Sequence, residues 1–230
     1  MAQRLLNKVA VVTGASGRLG RAIVQKFVAE GAKIVVFARN LGRLDELASL
    51  APARIVVVAG DVTRPADLEL LRETTLHRMG QVDILVAAAE QFRPARLEDC
   101  TPERIDELFA VNFEGALQTV RTLGRHFNSP ASIVLVTTSL SEMPYVGGAP
   151  FAASKAALLA LARTLAVELA PRGIRVNCVA PARRQEPASG TGPDRPPALP
   201  TGEVAQAVLF LASEESAGVT GQQVVVESLV

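Results

Sequence analysis

Two hydrophobic patterns alternate along the chain. Short runs rich in valine and isoleucine, such as Ile34–Phe37 and Ile55–Val58, are separated by longer segments in which apolar residues recur every three or four positions. A short continuous apolar run predicts a strand buried on both faces, and helical spacing predicts a helix that packs one side against a core. The alternation of the two predicts a parallel sheet with helices on both faces.

The apolar runs predict seven strands in one parallel sheet. The chain is 230 residues long and shows no internal repeat or second region. We therefore expect a single doubly wound α/β domain over residues 1–230. The predicted strands are Lys8–Thr13, Lys33–Phe37, Arg54–Val58, Ile84–Ala88, Ser132–Thr137, Arg175–Ala180 and Gln223–Val226.

Three predicted helices have marked boundaries. The first, Leu19–Glu30, stops before Gly31, a residue suited to a left-handed cap. Another begins at Thr101-Pro102, where a hydroxyl caps the helix and proline takes its first position. The apolar helix Phe151–Ala170 has more alanine and leucine than one sheet contact requires. We expect it also to contact a second subunit in a homo-oligomer, a dimer or a tetramer.

One segment interrupts the alternation. Residues Pro181–Pro200 hold six prolines and two glycines in twenty positions, which predicts an irregular loop. The loop directly follows a predicted strand, and open α/β folds bind their ligands at that position. We expect a substrate-side loop, with a surface linker as the alternative.

Charge and composition exclude several classes of function. The chain has 24 basic and 23 acidic residues, without the excess that nucleic-acid binding or an anionic membrane requires. Cys100 and Cys178, with His77 and His126, form no cluster at metal-ligand spacing, so we predict no metal. The longest apolar stretch, Ala156–Ala170, contains charged residues, and no cleavable signal precedes the first strand. We expect a cytoplasmic protein with no membrane partner.

The sequence TGASGRLG lies between the first predicted strand and the first helix. Glycines allow the sharp turn there and let backbone N–H groups approach a diphosphate, whose charge the helix N-terminus favours. An ordinary strand-to-helix turn is the alternative. The predicted cofactor contacts in this loop are Thr13, Gly14, Ser16, Gly17, Arg18, Leu19 and Gly20.

The end of the second strand favours NADP(H) over NAD(H). An NAD-binding site places a carboxylate there for the ribose 2′-hydroxyl, but this strand ends in Phe37-Ala38-Arg39-Asn40. Arg39 and Arg18 could instead flank a 2′-phosphate, unless both are simply solvated. After the third strand, the Asp61 carboxylate and the Val62 N–H are placed to contact the adenine.

Six motifs together resemble the short-chain dehydrogenase/reductase family, whose members have a Rossmann-like domain. The resemblance runs over nearly the whole chain, although each motif alone is weakly specific. The motifs are TGASGRLG, GDV at Gly60–Val62, VNF at Val111–Phe113, ASK at Ala153–Lys155, RVNCVAP at Arg175–Pro181 and TGQ at Thr220–Gln222.

The glycine loop resembles two branches of that family. Its glycines are similar to the GxxGxxG of the longer epimerase-like members, and Thr13, Gly14, Arg18 and Gly20 are similar to the TGxxxRxG of pteridine reductases. Chain length and the later motifs favour the pteridine reductase-like branch. The segment AAAEQFRP at residues 87–94 also resembles a pteridine reductase motif.

The resemblance implies a set of catalytic positions. Family members combine an asparagine that holds a water, a serine, a proton-exchanging tyrosine and a lysine that binds the nicotinamide ribose. Cofactor contacts are also predicted for Asn40, Ala88 and Pro181. The catalytic positions fall on Asn112, Thr138 with Ser139 beside it, Phe151 and Lys155.

Phenylalanine at the tyrosine position has no ionisable proton. General acid catalysis contributes about 10²–10⁴ in rate, so hydride transfer to an ordinary ketone should be crippled. Tyr145, a bound water or an acidic group of the substrate could replace the phenol. The family's NNAG-like turn has also become Ala87-Ala88-Ala89-Glu90, and its terminal DGG has become Glu227-Ser228-Leu229.

These observations leave three hypotheses. The first is an NADP(H)-dependent reductase of a small molecule with a carbonyl or a C=N bond, such as a pterin ring. The second is a catalytically inactive NADP(H)-binding pseudoenzyme that acts as a sensor or partner subunit. The third is an oligomerisation module without a cofactor, which the intact glycine loop disfavours.

Overall fold

The computed structural model describes residues 3–139, 146–182 and 201–227. In that part of the chain, seven strands form one parallel sheet in the order β3-β2-β1-β4-β5-β6-β7. The predicted α/β fold with its seven-stranded sheet is confirmed. The strands are β1 (Val9–Thr13), β2 (Lys33–Ala38), β3 (Ile55–Ala59), β4 (Val82–Ala87), β5 (Phe127–Val136), β6 (Ile174–Pro181) and β7 (Gln223–Val226).

Two strands begin two or more residues earlier than the hydrophobic pattern predicts. Strand β4 begins at Val82 rather than Ile84, and β5 begins at Phe127, which pairs with Val82. Asp83 interrupts the apolar run, yet it is buried and accepts hydrogen bonds from the Val9 N–H and the Asn128 amide, each at 2.7 Å. A carboxylate inside a strand is therefore satisfied by neighbouring strands, which the local pattern does not indicate.

The helices lie close to their predicted positions. Helix α1 begins one residue before the prediction, and the Thr101 hydroxyl caps α4 by accepting from the Arg104 N–H at 3.4 Å. The helices are α1 (Arg18–Ala29), α2 (Leu41–Ala48), α3 (Pro65–Met79), α4 (Pro102–Phe109), α5 (Gly115–Leu123), α6 (Ala149–Leu169) and α7 (Thr201–Ala212).

Each face of the sheet is covered by a separate apolar cluster. One cluster includes Phe27 of α1, Leu44 of α2 and Val208 of α7. The other includes Leu71 of α3 and Leu158 of α6, together with side chains of α5. Both faces of the strands are therefore buried, which explains their continuous runs of valine and isoleucine.

One span within the described residues, Ala149–Arg172, has the length and apolar composition of a membrane-crossing helix. Its residues Leu158, Ala162 and Ala166 are nonetheless buried against the sheet. A core helix of a globular domain satisfies the same criteria of length and composition. Packing against the sheet therefore accounts for one face of this span.

Three parts of the sequence analysis lie outside the described residues. They are Tyr145, Ser228-Leu229 of the terminal segment, and all of the predicted loop Pro181–Pro200 except Pro181 and Ala182. Pro181 ends β6 and Ala182 follows it at the carboxyl edge of the sheet. The predictions for this loop and for Tyr145 stay predictions.

We expect Asp83→Ala to lower the free energy of unfolding by about 3 kcal/mol, because it leaves the buried Val9 N–H without its acceptor. Chemical denaturation of both proteins measures the change. Asp106→Ala, at an exposed position of α4, is the control and should stay within about 0.5 kcal/mol of the parent. Equal stability of the two variants would contradict the role of Asp83.

Candidate functional site

A cleft of about 780 Å³ opens at the carboxyl ends of the central strands. Strands β1 and β4 are neighbours there although they are far apart in the sequence, so the chain continues from them in opposite directions along the sheet. Open α/β sheets bind ligands in the crevice at such a reversal of strand order. The cleft is therefore the candidate site.

The loop after β1 packs tightly against the end of β4. Gly14 has φ +66°, and a Cβ there would overlap the Ala88 carbonyl. A Cβ at Gly20 would overlap the Gly14 carbonyl, so α1 also depends on a close backbone approach. Gly14 is required both by its positive φ and by the lack of space, and Gly20 by the lack of space alone.

Helix α1 points its first turn at the cleft. Gly17 is its N-cap, no side chain caps it, and its first turn holds no acidic residue. Arg18, Leu19 and Gly20 line the cleft at this end. A helix N-terminus without an acidic partner carries a partial positive charge and favours an anion.

Three arginines lie along the cleft at the ends of α1 and β2. Arg18 and Arg39 are the predicted ones, and the third, Arg43 in the first turn of α2, was missed by the sequence analysis. Asn40 caps that helix by accepting from the Arg43 N–H at 3.0 Å. An N-capping side chain usually accepts from the N–H two or three residues later. Asn40 as a predicted cap would therefore have placed Arg43 in the first turn of the helix that follows Arg39.

Asp61 lies across from these arginines. Its Oδ1 accepts from the N–H and the hydroxyl of Thr63, each at 2.9 Å, and its Oδ2 lies 4.0 Å from the Arg39 guanidinium. Val62 follows it along the cleft. Thr63 therefore orients the Asp61 carboxylate, whose other oxygen lies on the side of Arg39.

At the opposite end of the cleft, Lys155 of α6 is almost completely buried. Its Nζ donates to the Val136 carbonyl at 2.9 Å and forms an ion pair with Glu90 Oε2 at 3.1 Å. The side chain of Lys155 is 1% exposed, whereas that of Glu90 is 24% exposed and lines the cleft. The charge that faces the cleft here is therefore the carboxylate.

Phe151 lies one helical turn before Lys155 and is also buried. Its ring centre is 5.7 Å from the Lys155 Nζ, which is within the range of a cation–π contact. Phe92, which lines the cleft, packs edge-on against it with ring centres 4.8 Å apart. Of these two rings, the one at the cleft is therefore Phe92.

Asn112 lies in a π-helical turn, Ala110–Glu114, between α4 and α5. Its Oδ1 accepts from the Gln91 N–H at 2.8 Å, and its Nδ2 donates to the Gln91 carbonyl at 3.0 Å and to the Ser154 hydroxyl at 3.2 Å. Such turns often occur at functional sites. The side chain fixes the backbone between Glu90 and Phe92.

The two predicted hydroxyl positions are placed differently. Both residues are buried, but Thr138 lines the cleft, whereas the Ser139 hydroxyl donates to the Pro181 carbonyl at 3.4 Å. Thr13 is also buried, and its hydroxyl accepts from the Ala89 N–H at 3.4 Å. Thr138 is therefore the candidate hydroxyl for contact with a ligand.

The cleft brings together most of the predicted cofactor contacts, with Thr13 and Lys155 just behind its wall. Glu90 enters the sequence analysis only as part of an altered turn, although a charged residue three positions after a buried strand is a signal for a site. The predicted residues along the cleft are Gly14, Ser16, Gly17, Arg18, Leu19, Gly20, Arg39, Asn40, Asp61, Val62, Ala88, Thr138 and Pro181.

Cys178 contributes no reactive group to the site. It is completely buried in β6, and this burial raises the pKa of its thiol to about 12. The thiol is therefore neutral near pH 7, whereas the nucleophilic form is the thiolate. Cys178 is a core side chain.

A family model for short chain dehydrogenases matches residues 8–188. The chain belongs to the short-chain dehydrogenase/reductase family. The resemblance carried by the six motifs is thereby confirmed at the level of the family, whose members are oxidoreductases that bind NAD(P). The match spans the glycine loop, the π turn and Lys155.

Curated relatives and solved structures match nearly the full chain. Glucose 1-dehydrogenase of Gluconobacter oxydans is 31% identical over 97% of this chain and 92% of its own. A 3-oxoacyl-acyl-carrier-protein reductase of Thermotoga maritima is 32% identical over 95% of this chain and 96% of its own. The structure of a dehydrogenase/reductase from Sinorhizobium meliloti is 30% identical, with TM-score 0.87 over 98% of this chain and 95% of that one.

We expect Gly14→Ala to lower the free energy of unfolding by at least about 2 kcal/mol, because the new methyl group meets the Ala88 carbonyl at positive φ. Gly17→Ala is the matched variant in the same loop, where the nearest atom is the Gly14 carbonyl oxygen at 3.3 Å. Chemical denaturation measures both variants. A Gly14→Ala protein no less stable than Gly17→Ala would show that the tight packing of Gly14 is not required.

Proposed function

We propose that the chain is an NADP(H)-dependent reductase of a small molecule that carries a carbonyl or a C=N bond. The observation that carries this proposal is the intact glycine loop, which directs the uncapped first turn of α1 into a large cleft. That arrangement suits a dinucleotide diphosphate. The motifs resemble those of pteridine reductases, which favours a ring with a C=N bond among the candidate substrates.

The residues along the cleft fit such a cofactor. The first turn of α1 would hold the diphosphate, and Asp61 with Val62 would contact the adenine. The bound cofactor would supply the hydride, and the chain would supply binding and orientation. Ala88, Thr138 and Pro181 line the end of the cleft where the nicotinamide would lie.

A preference for NADP(H) is supported by the arginines. Strand β2 ends without a carboxylate, and Arg39, Arg43 and Arg18 lie along the adjoining cleft. Guanidinium groups bind phosphate through paired, charge-assisted hydrogen bonds. A ribose 2′-phosphate would therefore gain contacts that a hydroxyl would not.

We expect Arg39→Ala with Arg43→Ala to weaken NADPH binding by at least about tenfold, because two charge-assisted contacts to the 2′-phosphate are lost. NADH affinity should change by less than about twofold. Titration calorimetry measures both. Arg78→Ala, at an exposed position of α3, is the control. Equal loss for both cofactors would argue against a 2′-phosphate site.

Proton transfer in the proposed reductase is not that of ordinary family members. Phe151 occupies the position at which the motifs place the tyrosine, and a phenyl ring donates no proton. Thr138 retains a hydroxyl along the cleft. A ketone would therefore be reduced poorly, whereas a C=N bond can obtain its proton before binding.

A pseudoenzyme is the second candidate function. It is favoured by the environment of Lys155, whose Nζ contacts the Val136 carbonyl and Glu90 behind the wall of the cleft. A lysine engaged in this way holds a ribose less readily. Binding of NADPH by calorimetry without turnover of ketones, quinones, imines or dihydropterins would favour this candidate over the reductase.

Phe151→Tyr tests whether the missing phenol limits ketone reduction. We expect NADPH oxidation with ketones to rise by about 10²-fold, because a proton donor is restored one helical turn from Lys155. Stopped-flow absorbance measures the rate. Phe210→Tyr, on the outer side of α7, is the control and should leave the rate unchanged. An unchanged rate in Phe151→Tyr would show that another feature limits the reaction.

We further propose that the chain forms a cytoplasmic homo-oligomer, a dimer or a tetramer. Helix α6 supports this proposal, because Ala153, Ala156 and Ala160 are exposed on it and Val167 is 76% exposed. Small apolar side chains let a second helix approach closely. Sedimentation of the purified chain measures the state.

A further inference from the structure

Two alternate residues of the chain after β4 form the wall of the cleft in front of α6. Glu90 pairs with Lys155 at 3.1 Å, and the Phe92 ring packs edge-on against Phe151 at 4.8 Å. Glu90 and Phe92 line the cleft, whereas Lys155 and Phe151 are only 2% and 1% exposed. A ligand in this end of the cleft therefore meets a carboxylate and an aromatic ring.

The position of this wall is fixed by several contacts. The Asn112 side chain binds both backbone groups of Gln91, the residue between Glu90 and Phe92, at 2.8 and 3.0 Å. The Ala95 N–H donates to the Gly147 carbonyl at 3.0 Å. These contacts hold the segment in place, so the carboxylate of Glu90 and the ring of Phe92 have fixed positions at the cleft.

The chemistry of that surface favours a cation. The Lys155 ammonium binds Glu90 Oε2 from behind the wall, and on the cleft side the pair presents the carboxylate, which accepts hydrogen bonds and donates none. The face of an aromatic ring such as Phe92 also attracts positive charge. A neutral carbonyl oxygen is an acceptor, and it gains nothing from a carboxylate. A protonated nitrogen matches both groups.

We propose that the substrate is a cationic C=N compound, an iminium ion, bound with its nitrogen toward Glu90 and its ring or alkyl part against Phe92. This inference rests on the proposed reductase and names its substrate class. Phe151 then needs no hydroxyl, because the proton that the phenol would supply arrives on the substrate nitrogen.

The electron and proton balance of this reaction is complete. The bound cofactor would supply a hydride for the new C–H bond at the iminium carbon and would itself be oxidised, and the C=N π pair would move onto nitrogen. The cation would become a neutral amine, and no proton would pass between the chain and the substrate. Glu90 stabilises the cationic ground state and orients it.

The first test measures binding without turnover. Calorimetry on the protein without cofactor compares tetrahydroisoquinoline, a cyclic ammonium ion at pH 7, with isochroman, its neutral oxygen analogue. We expect the ammonium ion to bind at least about tenfold more tightly, because charge-assisted hydrogen bonds are the stronger kind. Equal or tighter binding of isochroman would overturn the proposal, and the comparison needs no variant.

Variants then locate the cation site. Glu90→Gln keeps the shape and removes the charge, and we expect it to lose the preference for the ammonium ion. Glu90→Asp should retain part of the preference for the ammonium ion. Glu46→Gln removes an exposed carboxylate that is paired with Arg21 outside the cleft, and we expect no change. A preference that persists in a folded Glu90→Gln protein would contradict the assignment to Glu90.

The second test follows NADPH oxidation with three compounds of one skeleton: dihydroisoquinoline, its N-methyl iminium salt and tetralone. We expect the two C=N compounds to react at least about 10²-fold faster than the ketone, which needs a proton donor that the chain lacks. As the pH rises and the imine loses its proton, the rate with dihydroisoquinoline should fall. The N-methyl salt has no N–H proton to lose, so its rate should not fall. A tetralone rate equal to the others would overturn the proposal.

Failure of the substrate class and failure of the proposed function are distinguishable. Absence of NADPH binding by calorimetry would refute the proposed reductase, whether or not the ammonium ion binds. Binding of NADPH with no preference for the ammonium ion over isochroman would refute the iminium proposal alone.

Discussion

The close approach of two backbone segments governs the geometry of the cleft. Gly14 lies so near the Ala88 carbonyl that β1 and β4 end side by side, with the loop of one strand packed on the end of the other. From this point α1 begins along one wall, and the segment that carries Glu90 and Phe92 forms another. The wall that would hold the diphosphate and the wall that would face the reacting group of the substrate therefore both start at this contact.

Asn112 links the helices to that second wall. The π turn at Ala110–Glu114 places its amide in the interior, where one side chain satisfies both backbone groups of Gln91 and contacts Ser154 of α6. A buried amide with all of these partners is costly to disturb, because each broken bond leaves a polar group unsatisfied. The positions of Glu90 and Phe92 therefore depend on a residue that lies behind them.

Sequence patterns predicted the sheet well because a stretch of strand buried on both faces is apolar at every position, as in Ile34–Ala38 of β2. They failed at Asp83, whose partners come from β1 and β5 and so depend on tertiary structure. The glycine loop was visible for a similar reason, since backbone geometry alone demands glycine there. The pairing of Glu90 with Lys155 joins residues 65 positions apart, and no local pattern records such a contact.

The carboxylate at position 90 and the phenyl ring at position 151 are mutually dependent. A buried ammonium needs an anionic or polar partner, and Lys155 finds one in Glu90 in addition to the Val136 carbonyl. A phenolate formed at position 151 would share that ammonium with the carboxylate, and two anions at one cation disfavour each other's charged forms. Glu90 would thus make a phenol at position 151 a weaker acid than one beside an unshared lysine, which limits the gain from that phenol without abolishing it, and a site without the phenol can accept Glu90. Under the iminium proposal, this pair of residues accounts for a preference for a nitrogen cation over an oxygen acceptor.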